Sequence, residues 1–534
     1  MTRRDPTAAE VLGEQITPQG WRANPVPAPR DERVRRSLQD FELRFPVARD
    51  HRQMLQLLGS QFTYAAPCLV NNARECEVTL VRFSGAVESA FGFTRELLFL
   101  YSPYPDLQHR TFVAARASLR HLPRDVTPDL VVVWSKDPRA RVKLDDWSGT
   151  EFTAIPLPAD GLDDPLELLR ILREYVFTRD LYYETTPVSG DQFFGRRPLL
   201  QSLRTDLRSR RVVGVFGLRK AGKTSVLEEL GKTMESEDTV YLLRDLESLP
   251  SPPDDPIPDL IADLRQDVVS RMEEAGLSAR ALNALSPAPS VAEFRRALQD
   301  ALRELAVTGI QLVVALDEIE YLVPSDRIDV REGDMPSVAQ FLGALRSLVQ
   351  ENENFTFLIS GLTSAMIESG RLYGRPNPLF SWAKAYFLSP FNQSEADDLA
   401  IAVGQRMGVR LDAGALDALY EATGGHAFLY RHLASAVVGE LPIDVMSRTM
   451  LRSDVLRSLT SWQREIAGNI EEMVNHVRRY YPDEAFLLQT LQEDPDEFEK
   501  LARDMPTELS HLLRLGLVEE SQHEFALTPV LQLL

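Results

Sequence analysis

Residues 217–224 read GLRKAGKT and follow the apolar run VVGVF, Val212 to Phe216. A strand that ends in a glycine-rich turn and then opens a helix aims successive backbone N–H groups, and the positive end of the helix dipole, into one small concavity. That concavity suits a polyphosphate. Gly217 and Gly222 let the backbone bend toward an anion with no Cβ in the way, Lys223 can reach the outer phosphates, and Thr224 offers a hydroxyl to Mg²⁺. Leu218, Arg219, Lys220, Ala221 and Ser225 complete the expected phosphate-binding stretch, and a helix is expected from Thr224 through SVLEELGKTM.

About ninety residues on, QLVVALDEIEYL (Gln311 to Leu322) reads as an apolar strand ending in two adjacent acids. Asp317, at the carboxyl end of the strand, can hold Mg²⁺ through water, and Glu318 can polarise an attacking water. A further strand, FTFLISG (Phe355 to Gly361), ends in polar groups able to sense a γ-phosphate: Ser360, Thr363 and Ser364. TVYLLRDL supplies another core strand, and the helices LIADLRQDVVSRMEEAG and VAEFRRALQDALRELA fall inside the same domain, before the Asp-Glu strand.

The order of short motifs resembles the archaeal-type ATPases of the STAND class, within the AAA-like P-loop group. The motifs are Phe194-Gly195-Arg196-Arg197, the DEIEYL strand, SGLTSAM, LYGR at Leu372 to Arg375, FLSPF at Phe387 to Phe391 and TGGHAFL at Thr423 to Leu429. The resemblance spans about 190 to 440 and implies ATP with Mg²⁺ as cofactors and hydrolysis to ADP and phosphate. It implies that Gly195 and Arg196 border the adenine, that Ser360 is the sensor, and that Arg375 faces the phosphates or a neighbouring subunit. It also implies a nucleotide contact from His426 in the lid. Two positions depart from the family pattern: Arg197 stands where an acid is usual, and the G-G-x-P turn reads Gly424-Gly425-His426-Ala427. Trp382, Phe387 and Phe391 read as core aromatics.

The expected fold is α/β: a P-loop NTPase parallel sheet with a helical lid, a C-terminal winged-helix domain and a separate N-terminal α/β domain. Residues 1–35, rich in Pro, Arg and Asp, read as a flexible arm. From 36 to 185, ECEVTLVRF, ELLFLYSPY, DLVVVWSKD and EFTAIPLP read as strands, with FVAARASLRHL and PLELLRILREYVF as helices. Glu88, Glu96, Asp129 and Asp146 offer carboxylates there, but no E-x-K follows these strands and no serine elbow is visible, so the expected role is sensing or partner docking. The core spans 186–392, the lid 393–480 and the winged helix 481–534.

The 534 residues, 44% of them hydrophobic, are enough for several cored domains. No apolar run approaches the roughly 20 residues a bilayer requires, and MTRRDPTAAEVLGEQ lacks the apolar stretch of a signal peptide, so no membrane contact and a cytoplasmic location are expected. Cys68 and Cys76 form no metal-spaced pair and read as packing residues in a reducing compartment. A formal charge of −20 gives no global attraction to phosphate backbones. RRSL (Arg35 to Leu38) with the later RTDLRSRR (Arg204 to Arg211) is one candidate basic patch. The recognition helix of the winged segment, Thr507 to Leu515, lies in a stretch (484–534) with three Lys/Arg against eleven Asp/Glu. DNA is therefore disfavoured as a partner, and a protein partner or self-oligomer is expected. The expected function is an ATP-hydrolysing regulatory switch. The alternatives are a DNA-loading or remodelling ATPase related to replication initiators and a non-hydrolysing nucleotide-gated scaffold.

Overall fold

The computed structural model describes residues 25–68, 75–122, 124–149, 152–184, 186–235, 238–250, 254–322, 336–445, 447–521 and 524–532. The chain divides into two units: Met1–Tyr183 with Leu399–Ala418 and Arg431–Leu459, and Glu184–Asp398 with Leu419–Tyr430 and Thr460–Leu534.

The first unit is built on a five-stranded sheet of β1 (Gln61–Pro67), β2 (Glu77–Arg82), β3 (Glu96–Ser102), β4 (Val126–Ser135) and β5 (Thr153–Leu157), in that order. β2 runs antiparallel to both neighbours, while β3, β4 and β5 are parallel. Four of these strands were legible. β1 was not, because a register shift between Phe62 and Tyr64 breaks its alternation. Leu97, Phe99 and Tyr101 of β3 face a core with Phe41, Trp134 and Leu172, and Leu98 and Leu100 face a second core with Val133, Phe112 and Phe152. Both cysteines are free and buried in the second core.

The flexible arm expected over 1–35 is corrected for its second part, and residues 1–24 lie outside the described residues. Val26 exchanges bonds with Gly59 O (2.9 Å) and Gln61 Nε2 (2.8 Å), and helix Glu32–Arg44 begins inside the expected arm, capped by Asp31 and anchored by Phe41. Parts of the expected lid also group with the first unit, and two short parallel strands, Val409–Leu411 and Arg448–Met450, interrupt its helices. Buried polar contacts account for the grouping. Asp129 of β4 accepts from Arg179 Nη1 at 2.8 Å and from Arg406 Nη2 at 2.9 Å. Arg448, fully buried, donates to Phe177 O (2.9 Å) and Val438 O (3.0 Å).

The second unit carries a parallel sheet of β6 (Val213–Phe216), β7 (Thr239–Asp245), β8 (Gln311–Asp317), β9 (Phe355–Gly361) and, after the two-residue arms β10 (Arg371–Leu372) and β11 (Arg375–Pro376), β12 (Lys384–Phe387). The strand order is β12-β6-β9-β8-β7. Side chains alternate between two covered faces, as a sheet with helices on both sides requires. Leu312, Val314, Leu316, Phe357 and Ile359 enter a core with helices Ile257–Glu274, Val291–Val307 and Pro336–Glu351. Val213, Val215, Val313, Ala315 and Leu358 enter a core with helices Arg197–Arg208 and Lys223–Met234 and with C-terminal residues as far as Leu531. The C-terminal elements are helices Pro482–Glu493, Pro495–Asp504 and Pro506–Leu515 and an antiparallel hairpin, Val518–Ser521 with Glu524–Leu527. Among the described residues no helix is long and apolar enough to cross a membrane.

Burial alone would raise the Asp129 carboxyl, but Arg179 and Arg406 outweigh it and hold the group below its ordinary range. Its contribution to stability is present above the unfolded carboxylate pKa and is lost as pH falls through the depressed folded value. Asp129→Asn leaves one buried guanidinium (Arg179) and one partly buried guanidinium (Arg406) without their carboxylate, and a loss of about 3–5 kcal/mol is expected in urea unfolding near pH 7. A loss below about 1 kcal/mol would show that the triad does not hold this unit together.

Candidate functional site

Strand parity brings the site together. Continuing the alternation of β8, Asp317 follows Val313 and Ala315 on the face covered by helix Lys223–Met234, and Ser360 follows Leu358 to the same face from β9. Ser360 pairs in register with Val215 of β6, just before the glycine turn. The turn leaves β6 with Gly217 N–H donating to Gly361 O (3.3 Å), closes with Ala221 N–H to Leu218 O (3.2 Å), and enters the helix through Gly222 at φ +94°. A Cβ on Gly217 would lie 3.0 Å from Leu388 Cβ, whereas one on Gly222 would meet nothing within 4 Å, so the concavity is open at that point. Leu218 and Ala221 turn their side chains into the core, and Lys223, 5% exposed, makes a long bond to Leu218 O (3.4 Å).

Thr224 Oγ1 donates to Asp317 Oδ2 at 2.7 Å, so the hydroxyl and the carboxylate are side by side. No group of three or more His, Cys, Asp or Glu among the described residues could hold a metal ion, so Mg²⁺ on this pair would take its other ligands from phosphate and water. Glu318 sits at φ +55°, its N–H donating to Asp317 Oδ1 (3.0 Å). Burial, a hydrogen bond with Glu320 and the charges of Glu320 and Asp317 push its carboxyl up to about 8, against the pull of Lys223. A cation on Thr224 and Asp317 would draw it down again. Glu320 accepts Leu362 N–H (3.0 Å) and so links the acidic turn to the end of β9.

Arg196 is buried at φ +57° with its guanidinium 4.7 Å over the Phe391 ring, and among the described residues neither terminal nitrogen has a hydrogen-bond partner. Burial lowers its pKa to about 10, and Glu395 opposes that shift. Glu395 Oε1 accepts Arg196 N–H at 2.9 Å, and a Cβ on Gly195 would lie 3.0 Å from Phe391 and 3.1 Å from Glu395. The Gly424-Gly425 turn docks on the same aromatic residue, with Phe391 N–H donating to Gly425 O at 2.9 Å. His426 follows, fully buried. Burial and the charges of Arg196, Lys220 and Lys223 lower its pKa to about 4, so the ring is neutral at pH 7. The Arg219 backbone biases one ring nitrogen, yet neither nitrogen has a hydrogen bond of good geometry. Ser360 Oγ is likewise buried without a partner. Orphaned polar atoms such as these are what a polyphosphate nucleotide could satisfy.

Other expected residues are placed differently. Ser225 Oγ accepts Val188 N–H (3.0 Å), so its side chain anchors an upstream segment while only its backbone faces the loop. Arg219 pairs with Glu472 (3.2 Å), and Lys220 donates to Asn469 (2.6 Å) over the Phe428 ring. Arg375 is exposed on β11 and makes no hydrogen bond to the phosphate loop among the described residues. Sequence reasoning missed Glu320, Glu395, Asn469 and Glu472. The third acid of D-E-I-E, Glu320, was visible as a pattern, but the others are surface-type residues whose partners are remote in sequence.

The five parallel strands, in the order β12-β6-β9-β8-β7 with the glycine loop after β6, form a P-loop NTPase fold. No family model matches the chain, and no curated protein matches it. Among solved structures, the Walker-type ATPase PABY2304 of Pyrococcus abyssi is similar at 16% identity and TM-score 0.47, over 66% of this chain and 98% of that one. The Aeropyrum pernix ORC2 protein (14%, 0.39) matches over 66% of this chain and 95% of its own. The Thermotoga maritima RuvB Holliday junction branch migration motor (14%, 0.33) matches over 64% and 95%. At these scores the likeness carries no argument, and the reading of the site rests on its own geometry.

Gly361 is a direct test of how tightly the wall is packed. A Cβ there would collide with Glu320 Oε2 and lie 3.1 Å from Ile319 N, whereas one on Gly370 would meet nothing within 4 Å. Gly361→Ala is expected to cost about 1–3 kcal/mol, read as a lowered melting temperature, with Gly370→Ala unchanged as control.

Proposed function

We propose that the chain is an ATP-hydrolysing regulatory switch of the STAND or AAA-like type, with the Lys223–Thr224–Asp317–Glu318 cluster as its chemical centre. The observation that carries this reading is the Thr224–Asp317 contact beside an open glycine loop, with Glu318 next in the chain. Lys223 and the loop N–H groups would bind the phosphates, and Thr224 and Asp317 would hold Mg²⁺, whose charge offsets that of the phosphates. Glu318 would orient and deprotonate water, and Ser360 would report on the γ-phosphate. Arg196 and His426 would satisfy their unpaired nitrogens on the nucleotide, joining the Phe194–Arg197 segment to the lid turn. Residues 36–185 serve in this reading as the sensing or docking domain, and the C-terminal helices and hairpin as a winged-helix element that packs on the ATPase. Arg375, exposed on its hairpin arm, acts across subunits, so specific activity would rise with protein concentration.

Its DNA-loading alternative finds no support in the C-terminal helix Pro506–Leu515, whose His511, Leu512 and Leu515 are buried. Phosphate release from ATP, with and without DNA, tests these readings together. Glu318→Gln is expected to lower turnover by about 10²–10³-fold while ATP still binds, and Lys223→Ala to abolish it. Equal background in all three proteins, with ATP bound, would leave the nucleotide-gated scaffold. Salt-sensitive stimulation by DNA would favour the loader.

A further inference from the structure

Beyond β9 the chain turns through Leu362–Ser364 into the short helix Ala365–Glu368. Ser364 N–H donates to Tyr481 Oη (3.1 Å), and its hydroxyl donates to Glu368 Oε2 (2.7 Å). Glu368 in turn faces His511 of helix Pro506–Leu515, with 3.1 Å between Oε2 and Nε2. On the other side of the ring, Nδ1 lies 2.6 Å from Glu484 Oε1 of helix Pro482–Glu493. A neutral imidazole carries one N–H and can donate to one carboxylate. Carboxylates on both nitrogens require the imidazolium. Phe387 of β12 and Tyr481 enclose the ring at 5.5 and 5.8 Å, and the side chain is 9% exposed. The charged and titratable groups around it are therefore Glu368, Glu484, Tyr481 and, from its own helix, Arg514, which lies over Phe387 and in the field of Glu368.

We propose that the His511 imidazolium, clasped between Glu368 and Glu484, is the joint through which the turn after the sensor strand and the C-terminal helices are coupled, so that nucleotide binding and docking of these helices are energetically linked. The linkage rests on the nucleotide reading above, whereas the clasp itself stands on the contacts alone. Burial by itself would lower the His511 pKa, but the two carboxylates hold it up at about 9, above its ordinary value of 6.5. The raised folded value fixes the sign: the stabilisation is complete below about pH 6.5 and is lost as pH rises through about 9.

Amide exchange over 482–515 in the full chain, corrected for intrinsic rates, tests both parts. Between pH 6.5 and 9 without nucleotide, wild-type protection is expected to fall by about tenfold or more, and that of His511→Gln by less than about threefold. Equal falls in both would overturn the clasp. Glu484→Gln, which keeps an acceptor at that position, is the second variant and is expected to show an intermediate fall. At pH 7, ATP is expected to change protection in wild type by about threefold or more and to leave His511→Gln unchanged. ATP bound with unaltered protection would overturn the linkage and leave the ATPase reading standing. A chain that does not bind ATP would sink that reading and the linkage with it, while the pH arm would still decide the clasp.

Discussion

The hydrogen bond from Thr224 to Asp317 joins the ends of two strands that are not neighbours, since β9 lies between β6 and β8. It can form only if β6, β9 and β8 are parallel and in register, so that the helix after β6 and the acid ending β8 emerge at the same edge. The rest of the second unit serves that register. Two apolar cores clamp the sheet, and Ser360 follows on β9 because its parity matches that of Asp317.

The same edge concentrates backbone strain. Lys220, Glu318 and Arg196 all hold positive φ, at 59°, 55° and 57°, beside Gly222 at 94°. Each non-glycine case costs about 1–2 kcal/mol, and such residues persist where their surroundings fix them. Here the fixing contacts are visible: Asn469 and Phe428 for Lys220, the Asp317 carboxylate for Glu318, and Glu395 with Phe391 for Arg196. Protein contacts alone thus fix the backbone at these three positions.

Much of this was legible because local physics wrote it into the chain. GLRKAGKT after VVGVF specifies a turn whose glycines have no substitute, and QLVVALDE specifies a buried strand with acids at its tip. What escaped reading depends on partners far away in sequence. Nothing in the residues near Asp129 predicts Arg406, and nothing near Arg448 predicts the carbonyl of Phe177, yet these contacts assign lid segments to the first unit. Phe391 was rightly an apolar aromatic, but its second task, seating Arg196, leaves no periodic trace. Arg375 shows the opposite limit: a motif marked it, and the fold leaves its side chain in solvent.

One of the two cores flanking the sheet runs from Leu203 and Val213 to Leu531, almost the whole length of the second unit. Its opposite face closes with residues between Val212 and Leu379. During synthesis the two faces therefore cannot mature together. One can be covered once residue 379 has emerged, whereas the other, already packed in part by helices Arg197–Arg208 and Lys223–Met234, keeps apolar surface uncovered until the helices between 482 and 515 follow. A chain cut between residues 390 and 482 would therefore hold a sheet with one side covered only in part.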